Sequence, residues 1–286
     1  MINLSDIHRV AILGAGTLGL RVALRCALDG YTTTAYDITD EALRNAEHIQ
    51  GKILSRLLKD ERITQAQADA ARQRLTYTTD PGEVAEGADL MNESVPENVD
   101  IKVKTYEQFA DLWPEHTILT TNTSYLLPSQ FAEASGRPER FAALHFHDVF
   151  MADVVDIMPH PGTAQWVSDL LIEFGASISQ IPVFIKEETN GYLFNSMLMS
   201  FCGAAMQLYF SGKASAEDID RAWMGNTKMP IGPLGMLDQI GTKTLVNVTR
   251  NQQDRRSKFL LPHLEKMLEE GRLGKAHGVG FYDYRK

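Results

Sequence analysis

Two hydrophobic periods alternate through the first two thirds of the chain, and only the helical one continues into the last third. Val10-Ala11-Ile12-Leu13 is apolar at every position, the pattern of a strand buried on both faces of a parallel sheet. Residues 18–28 then carry apolar side chains at spacings of three and four, which predicts a helix that Gly30 stops. Thr32-Thr33-Thr34-Ala35-Tyr36 is β-branched and aromatic, a second strand. A long helix is predicted over 40–58 and another opens at 63–67, where Thr64 and Gln67 have capping-box spacing. This helix pair is expected to project from the sheet as an insertion. Strand patterns return at 75–78 and 89–94, bridged by a turn and short helix over 80–87, and a helix is predicted over 99–112. Further strands are predicted at 117–121, at 140–144 ending on His145, at 154–157 and at 176–181, with a helix over 163–174 between the last two.

From residue 189 onward the pattern is helical only. Residues 195–210 are apolar nearly all round, so this helix is expected to be buried on several sides, at a domain core or a subunit interface. Ser215 and Asp218 cap the next helix, and Pro230-Ile231-Gly232-Pro233 is a turn leading into another. The fold expected is therefore α/β: a Rossmann-type, doubly wound, mostly parallel sheet with an inserted helix pair, followed by an all-α C-terminal domain. The boundary falls near 186–190, giving domains 1–187 and 188–286. Ligands of such sheets sit beyond the carboxyl ends of the strands, where Ser124 and His145 fall.

Between the first strand and first helix runs Gly14-Ala15-Gly16-Thr17-Leu18-Gly19. Gly14 permits the tight turn, Gly16 lets the backbone approach a pyrophosphate, and Gly19 lets the helix pack close to the strand. The N–H groups of the helix start at Thr17 and Leu18 then face the phosphates. Asp37, 18 residues after Gly19, ends the second strand, where a carboxylate accepts from both hydroxyls of an adenosine ribose and repels a 2′-phosphate. Ile38 and Thr39 supply no cation for that phosphate, so NAD is expected rather than NADP. Such turns also occur in methyltransferases and flavoproteins, and flavin is the main competing ligand.

Composition narrows the class further. The 286 residues are 44% hydrophobic and 23% charged, an ordinary globular chain with room for two domains. A formal net charge of −9 argues against nucleic acid or an anionic membrane as partner. The N-terminus carries neither a basic nor an apolar leader segment, and 197–210 is shorter than a bilayer span, so neither export nor membrane insertion is expected. Cys26 and Cys202 are too few and too scattered for a disulfide framework or a metal site, and a reducing cytoplasm fits. Lys52, Arg56 and Lys59 share one helix face, which reads as a solvated surface or as a docking face for an anionic ligand tail.

Along nearly its whole length the chain resembles the 3-hydroxyacyl-CoA dehydrogenase family. The resemblance rests on the glycine turn, the Glu93/Glu97/Lys102 cluster, Asn122-Thr123-Ser124, His145-Phe146, Gly191-Tyr192-Leu193-Phe194-Asn195, Pro230-Ile231-Gly232-Pro233 and Gly278-Val279-Gly280-Phe281-Tyr282, in that order. It implies an NAD-binding first domain and a second domain for substrate and dimerisation. The reaction implied is the NAD-dependent interconversion of a 3-hydroxyacyl-CoA and a 3-oxoacyl-CoA by a homodimer, in fatty-acid metabolism. By the resemblance His145 is the general base, a task its ordinary pKa suits. Ser124 bonds the reacting oxygen, Asn195 positions the substrate, Glu97 and Lys102 contact the nicotinamide half of the cofactor, and Asn122 lies with them.

The chain departs from the family pattern at one place. Where the family reads His-Phe-Phe-Asn-Pro and then a Glu that orients the His, this chain reads His145-Phe146-His147-Asp148-Val149. Asp156 aligns best with the orienting acid, and Asp148 and Asp153 are alternatives. His147 falls on the same side of the strand as His145. The changes lie in the substrate cleft, so a second branch stays open: the related gulonate dehydrogenase and λ-crystallin branch, acting on small hydroxy acids without CoA, which 156–161 somewhat resembles. A non-catalytic NAD-binding protein is the third reading, and the presence of both His145 and Ser124 counts against it.

Overall fold

β1 (Arg9–Leu13) is the axis of the sheet, because its four apolar residues are buried from both sides. The computed structural model describes residues 2–250 and 254–285, and the chain divides into two compact units, Met1–Leu193 and Phe194–Lys286. In the first unit β1 leads through the glycine turn to α1 (Gly19–Leu28), β2 (Thr32–Tyr36), α2 (Asp40–Lys59), α3 (Gln65–Arg74) and β3 (Leu75–Thr78). A short α4 (Pro81–Ala85) precedes β4 (Leu90–Glu93), α5 (Val99–Phe109) and β5 (Ile118–Thr121). β6 (Phe141–Asp148), β7 (Ala152–Pro159), α6 (Gln165–Ser177) and β8 (Ile181–Phe184) complete it.

Among the described residues these eight strands form one sheet in the order β3-β2-β1-β4-β5-β6-β7-β8. Every neighbouring pair is parallel except β6 and β7, a hairpin whose register sets His145 opposite Asp156. Strand order reverses between β1 and β4, the switch point at which such sheets bind ligands. Helices cover both faces. Val22, Leu24, Leu54, Leu57, Phe174 and Ile178 belong to one apolar cluster, and Tyr106, Phe109, Trp113, Phe131 and Phe141 to another.

Several boundaries differ from the sequence expectation. The α2–α3 pair does not project: Ala68 and Ala71 are fully buried in the same cluster as α1, since a methyl-sized side chain lets helices approach closely. The strand expected at 176–181 begins only at Ile181, because Ala176 and Ser177 continue α6 and Ser179 turns with φ 59°. β6 runs on to Asp148, so His145 stands inside a strand and not at its end. α5 stops at Phe109 rather than at residue 112. The capping box at Thr64 and Gln67 is formed as expected.

The second unit is helical. α7 (Tyr192–Phe210) enters it, followed by α8 (Ala216–Thr227), α9 (Pro233–Ile240), α10 (Thr242–Arg250) and α11 (Arg255–Glu269). Ser215 caps α8 by accepting from the Asp218 N–H. Asp220, buried on α8, accepts from Leu234 N and Gly235 N and so caps α9 from a neighbouring helix. Asp238 accepts from Phe281 N and Tyr282 N and ties the C-terminal segment down. α7 is not buried all round: Met197, Ala204 and Leu208 leave an apolar face exposed. No helix among the described residues is long and apolar enough to cross a membrane.

Candidate active site

The glycine turn behaves as three different constraints. Gly14 has φ 94°, and a Cβ there would lie 2.7 Å from the Ser94 carbonyl oxygen. A Cβ on Gly19 would lie 1.9 Å from the Gly14 carbonyl oxygen, so only glycine lets α1 start this close to the turn. Gly16 has nothing within 4 Å of its Cβ position and faces open space, where a phosphate can meet the backbone. Asp37 accepts from Ala15 N at 2.9 Å and from Ile38 N at 2.8 Å, so its carboxylate also holds the turn. Gly14, Gly16, Thr17, Tyr36, Asp37, Ile38 and residues 94–96 help to line a pocket of about 500 Å³. No lysine or arginine is among its described lining residues. The donor set fits a dinucleotide carrying a free ribose diol.

Beyond β4 a buried charge network reaches the loop after β5. Glu93, with no exposed surface, accepts from Lys102 Nζ at 2.7 Å, Val95 N at 2.8 Å, Thr121 Oγ1 at 2.8 Å and the Tyr106 hydroxyl at 3.1 Å. Burial, and then the Glu93 charge, push the Tyr106 phenol well above its ordinary range, so it stays a donor. Lys102 also lies 3.4 Å from Glu97 Oε2. Glu97 Oε1 accepts from Thr123 Oγ1, from Ser124 N at 3.1 Å and from Tyr125 N at 3.2 Å. Three donors therefore converge on one carboxylate oxygen and fix the loop that presents Ser124, which is exposed. Asn122 bridges strand ends, donating to Ser94 Oγ at 2.9 Å and accepting from Phe146 N at 2.8 Å.

On the β6–β7 hairpin the His145 ring is buried, with Nδ1 2.9 Å from Asp156 Oδ2. His147 Nε2 lies 3.0 Å from the same oxygen, and the two imidazole centroids are 4.5 Å apart. Burial pushes the Asp156 carboxyl up, but the hydrogen bonds and electrostatic pull of the two imidazoles together outweigh it and hold the group below its usual range. The carboxylate is thus an acceptor, which puts the His145 proton on Nδ1 and leaves a lone pair on Nε2. The His145 pKa is lowered, first by burial; His147 adds to that and Asp156 opposes it. A neutral imidazole with a free Nε2 is the form that takes a proton from a hydroxyl.

Of the three acids that could partner His145, only Asp156 reaches it. Asp148 sits 3.7 Å from Arg21 Nε, and Asp153 is exposed. Two participants were not assigned from sequence. His147 shares the Asp156 oxygen, and the Tyr192 ring lies 4.6 Å from the His145 ring, its φ 54° unusual for a bulky residue and its buried hydroxyl without a hydrogen-bond partner among the described residues. The departure from an aromatic at 147 was the signal for the first, and the second lies in the motif over 191–195, where only Asn195 was given a role. Asn195 is half-buried one turn after Tyr192 on α7. Lys52, Arg56 and Lys59 are all exposed, and Arg56 pairs with Asp60 at 3.5 Å.

The chain matches the family description "3-hydroxyacyl-CoA dehydrogenase, NAD binding domain" over residues 9–188 and "3-hydroxyacyl-CoA dehydrogenase, C-terminal domain" over 191–284. It is 30% identical to the mitochondrial hydroxyacyl-coenzyme A dehydrogenase of Mus musculus, over 98% of this chain and 92% of that one. Among solved structures, the (S)-3-hydroxybutyryl-CoA dehydrogenase of Ralstonia eutropha superposes with a TM-score of 0.91 at 28% identity, covering 98% of this chain and 100% of that one. A diketoreductase described as acting on dicarbonyl compounds superposes with a TM-score of 0.89 at 33% identity, covering 99% and 100%.

Proposed function

The chain belongs to the 3-hydroxyacyl-CoA dehydrogenase family, and we propose that it oxidises and reduces its substrate at the His145–Asp156 pair. It is an NAD-dependent oxidoreductase interconverting a 3-hydroxyacyl-CoA and a 3-oxoacyl-CoA. NAD, when bound, supplies the hydride acceptor. Gly14, Gly16, Thr17, Leu18, Gly19 and Asp37 hold its adenosine and pyrophosphate, supported by the open backbone at Gly16 and the cation-free lining beside Asp37. In the oxidative direction His145 Nε2 takes the proton of the 3-hydroxyl, and Asp156 stabilises the imidazolium that forms. Ser124 donates to the reacting oxygen. Asn195 positions the substrate. Glu97 and Asn122 order the Ser124 loop and the strand ends beside the cofactor, and Lys102, which is buried, acts through Glu97.

The observation that carries this reading is the 2.9 Å contact between a buried imidazole and a buried carboxylate that leaves Nε2 as the base. The test is NADH oxidation with acetoacetyl-CoA, run beside NAD reduction with free gulonate and 3-hydroxybutyrate. Turnover of the thioester alone is expected. The second reading, a small free hydroxy acid or dicarbonyl without CoA, is favoured by the polar His147 beside His145 and by the likeness to the diketoreductase. The exposed, partly paired Lys52/Arg56/Lys59 face adds no support for a CoA tail. We place the enzyme in a reducing compartment, expected to be the cytoplasm, on its two buried free thiols, both pushed up to about 12 by burial.

A further inference from the structure

We infer that His145, His147 and Asp156 form a binding site for a zinc-class divalent cation, and that occupancy of this site switches the catalytic base off. The three donor atoms lie within 4.8 Å of one another. Two of the separations, 2.9 Å and 3.0 Å, are fixed by both imidazoles meeting one carboxylate oxygen. Around a tetrahedral zinc with ligands about 2.0–2.1 Å away, neighbouring donors stand roughly 3.3 Å apart. Both imidazole–carboxylate separations are therefore within a few tenths of an ångström of ligand spacing before any ion arrives, and the two imidazole nitrogens lie within 4.8 Å of each other.

The backbone also supplies the arrangement. His145 and His147 are two residues apart on β6, so they share a face, and Asp156 is the direct register partner of His145 on β7. Burial of His145 and Asp156, with His147 only slightly exposed, keeps competing water low. Two imidazoles and one carboxylate suit zinc, cobalt, nickel or copper ions, whereas magnesium and calcium prefer oxygen ligands alone. Three protein ligands leave a coordination position for water or a substrate oxygen.

The consequence follows from the proton positions. In the metal-free site Asp156 accepts from His145 Nδ1, and the Nε2 lone pair is the base. A cation at Nδ1 needs the lone pair there, so the imidazole proton passes to Nε2 and the ring stays neutral. Nε2 then has no lone pair to take the substrate hydroxyl proton. The second imidazole comes from His147, where the family pattern has an aromatic residue, so the site is specific to this variation.

The experiment uses the full chain stripped with a chelator, titrated with Co²⁺ while visible absorption is recorded, and with Zn²⁺ by calorimetry and activity assay. One ion per chain is expected, with activity lost in parallel and restored by EDTA. His147→Phe should weaken binding at least about tenfold, and its metal-free rate should become correspondingly resistant to Zn²⁺. His147→Gln serves as a second variant if circular dichroism shows the first to be unfolded. Absence of binding up to tens of micromolar ion overturns the inference, as does equal binding by wild type and both variants. Binding without loss of activity overturns the switch. Co²⁺ absorption needs no turnover, so this test stands apart from the substrate assignment.

Discussion

Asp156 concentrates the chemistry of the site, because one carboxylate oxygen accepts from two imidazoles while its residue is almost wholly buried. His145→Ala should lower turnover by roughly 10²–10⁴-fold, the usual worth of a general base, with NAD affinity unchanged by calorimetry. Asp156→Asn should lower turnover too, since an amide cannot stabilise the imidazolium; equal loss from Asp153→Asn but none from Asp156→Asn would show the orienting acid to be misassigned. At the other end of the site, Asp37, in a pocket whose described lining carries no lysine or arginine, should favour NAD over NADP by well over tenfold, or more than about 1.4 kcal/mol, and Asp37→Asn should narrow the gap in a paired calorimetric titration. Tyr192 predicts the opposite kind of result. Its buried hydroxyl has no hydrogen-bond partner among the described residues, so Tyr192→Phe should raise unfolding free energy by about 1 kcal/mol in denaturant melts, and a fall would mean the hydroxyl has a bond. Asp37 was legible as an acid at a fixed place after β2, whereas His145 and Asp156 lie inside strands and were legible because the family resemblance singled them out. His147 and Tyr192 were not, since strand alternation gives a side and no distance, and a positive φ at a tyrosine leaves no mark in composition.

The elements around the site were legible where a local pattern decided them and obscure where packing did. The glycine turn, the capping box at Thr64 and the strands at 140–144 and 154–157 all lay in short-range signals, whereas the antiparallel pairing of those two strands did not. The end of α6 did not, because the helix runs on through Gly175, Ala176 and Ser177 to seat Ile178, its C-cap, in the core. Nor did the seat of α3, whose buried face consists only of alanines and so has little hydrophobic contrast. The buried Glu93–Lys102 pair ties α5 to β4, its side chains 0% and 1% exposed. Such a pair adds little over an apolar replacement, but breaking it strands a charge. Lys102→Met should therefore cost about 3–5 kcal/mol by chemical denaturation, and adding Glu93→Gln should recover part of the loss. A Lys102→Met chain as stable as wild type would mean that Glu93 is protonated or hydrated in place.

At the scale of the whole molecule, strand patterns in the sequence cease after 181, and contacts divide the chain at 193/194, within the start of α7. What the sequence did not reveal is that α7, apolar nearly all round, keeps a face uncovered by its own chain. Met197 is 65% exposed and Leu208 49%, with Ala204 exposed between them, and these positions recur at helical spacing. A contiguous apolar stripe of this kind is unusual on a monomer surface and marks a contact with another protein. Among the possible partners a second copy is favoured, since closed two-fold pairs are the commonest assembly and an isologous contact lets one stripe meet its own mate. The expected state is a dimer at micromolar concentration, sedimenting at twice the chain mass, with part of the helical unit buried. Met197→Glu with Leu208→Glu should drive it to monomer, because two carboxylates per copy would be taken out of water without partners. A wild-type chain that sediments as a monomer at micromolar concentration, or a double variant that stays dimeric, removes α7 from the interface.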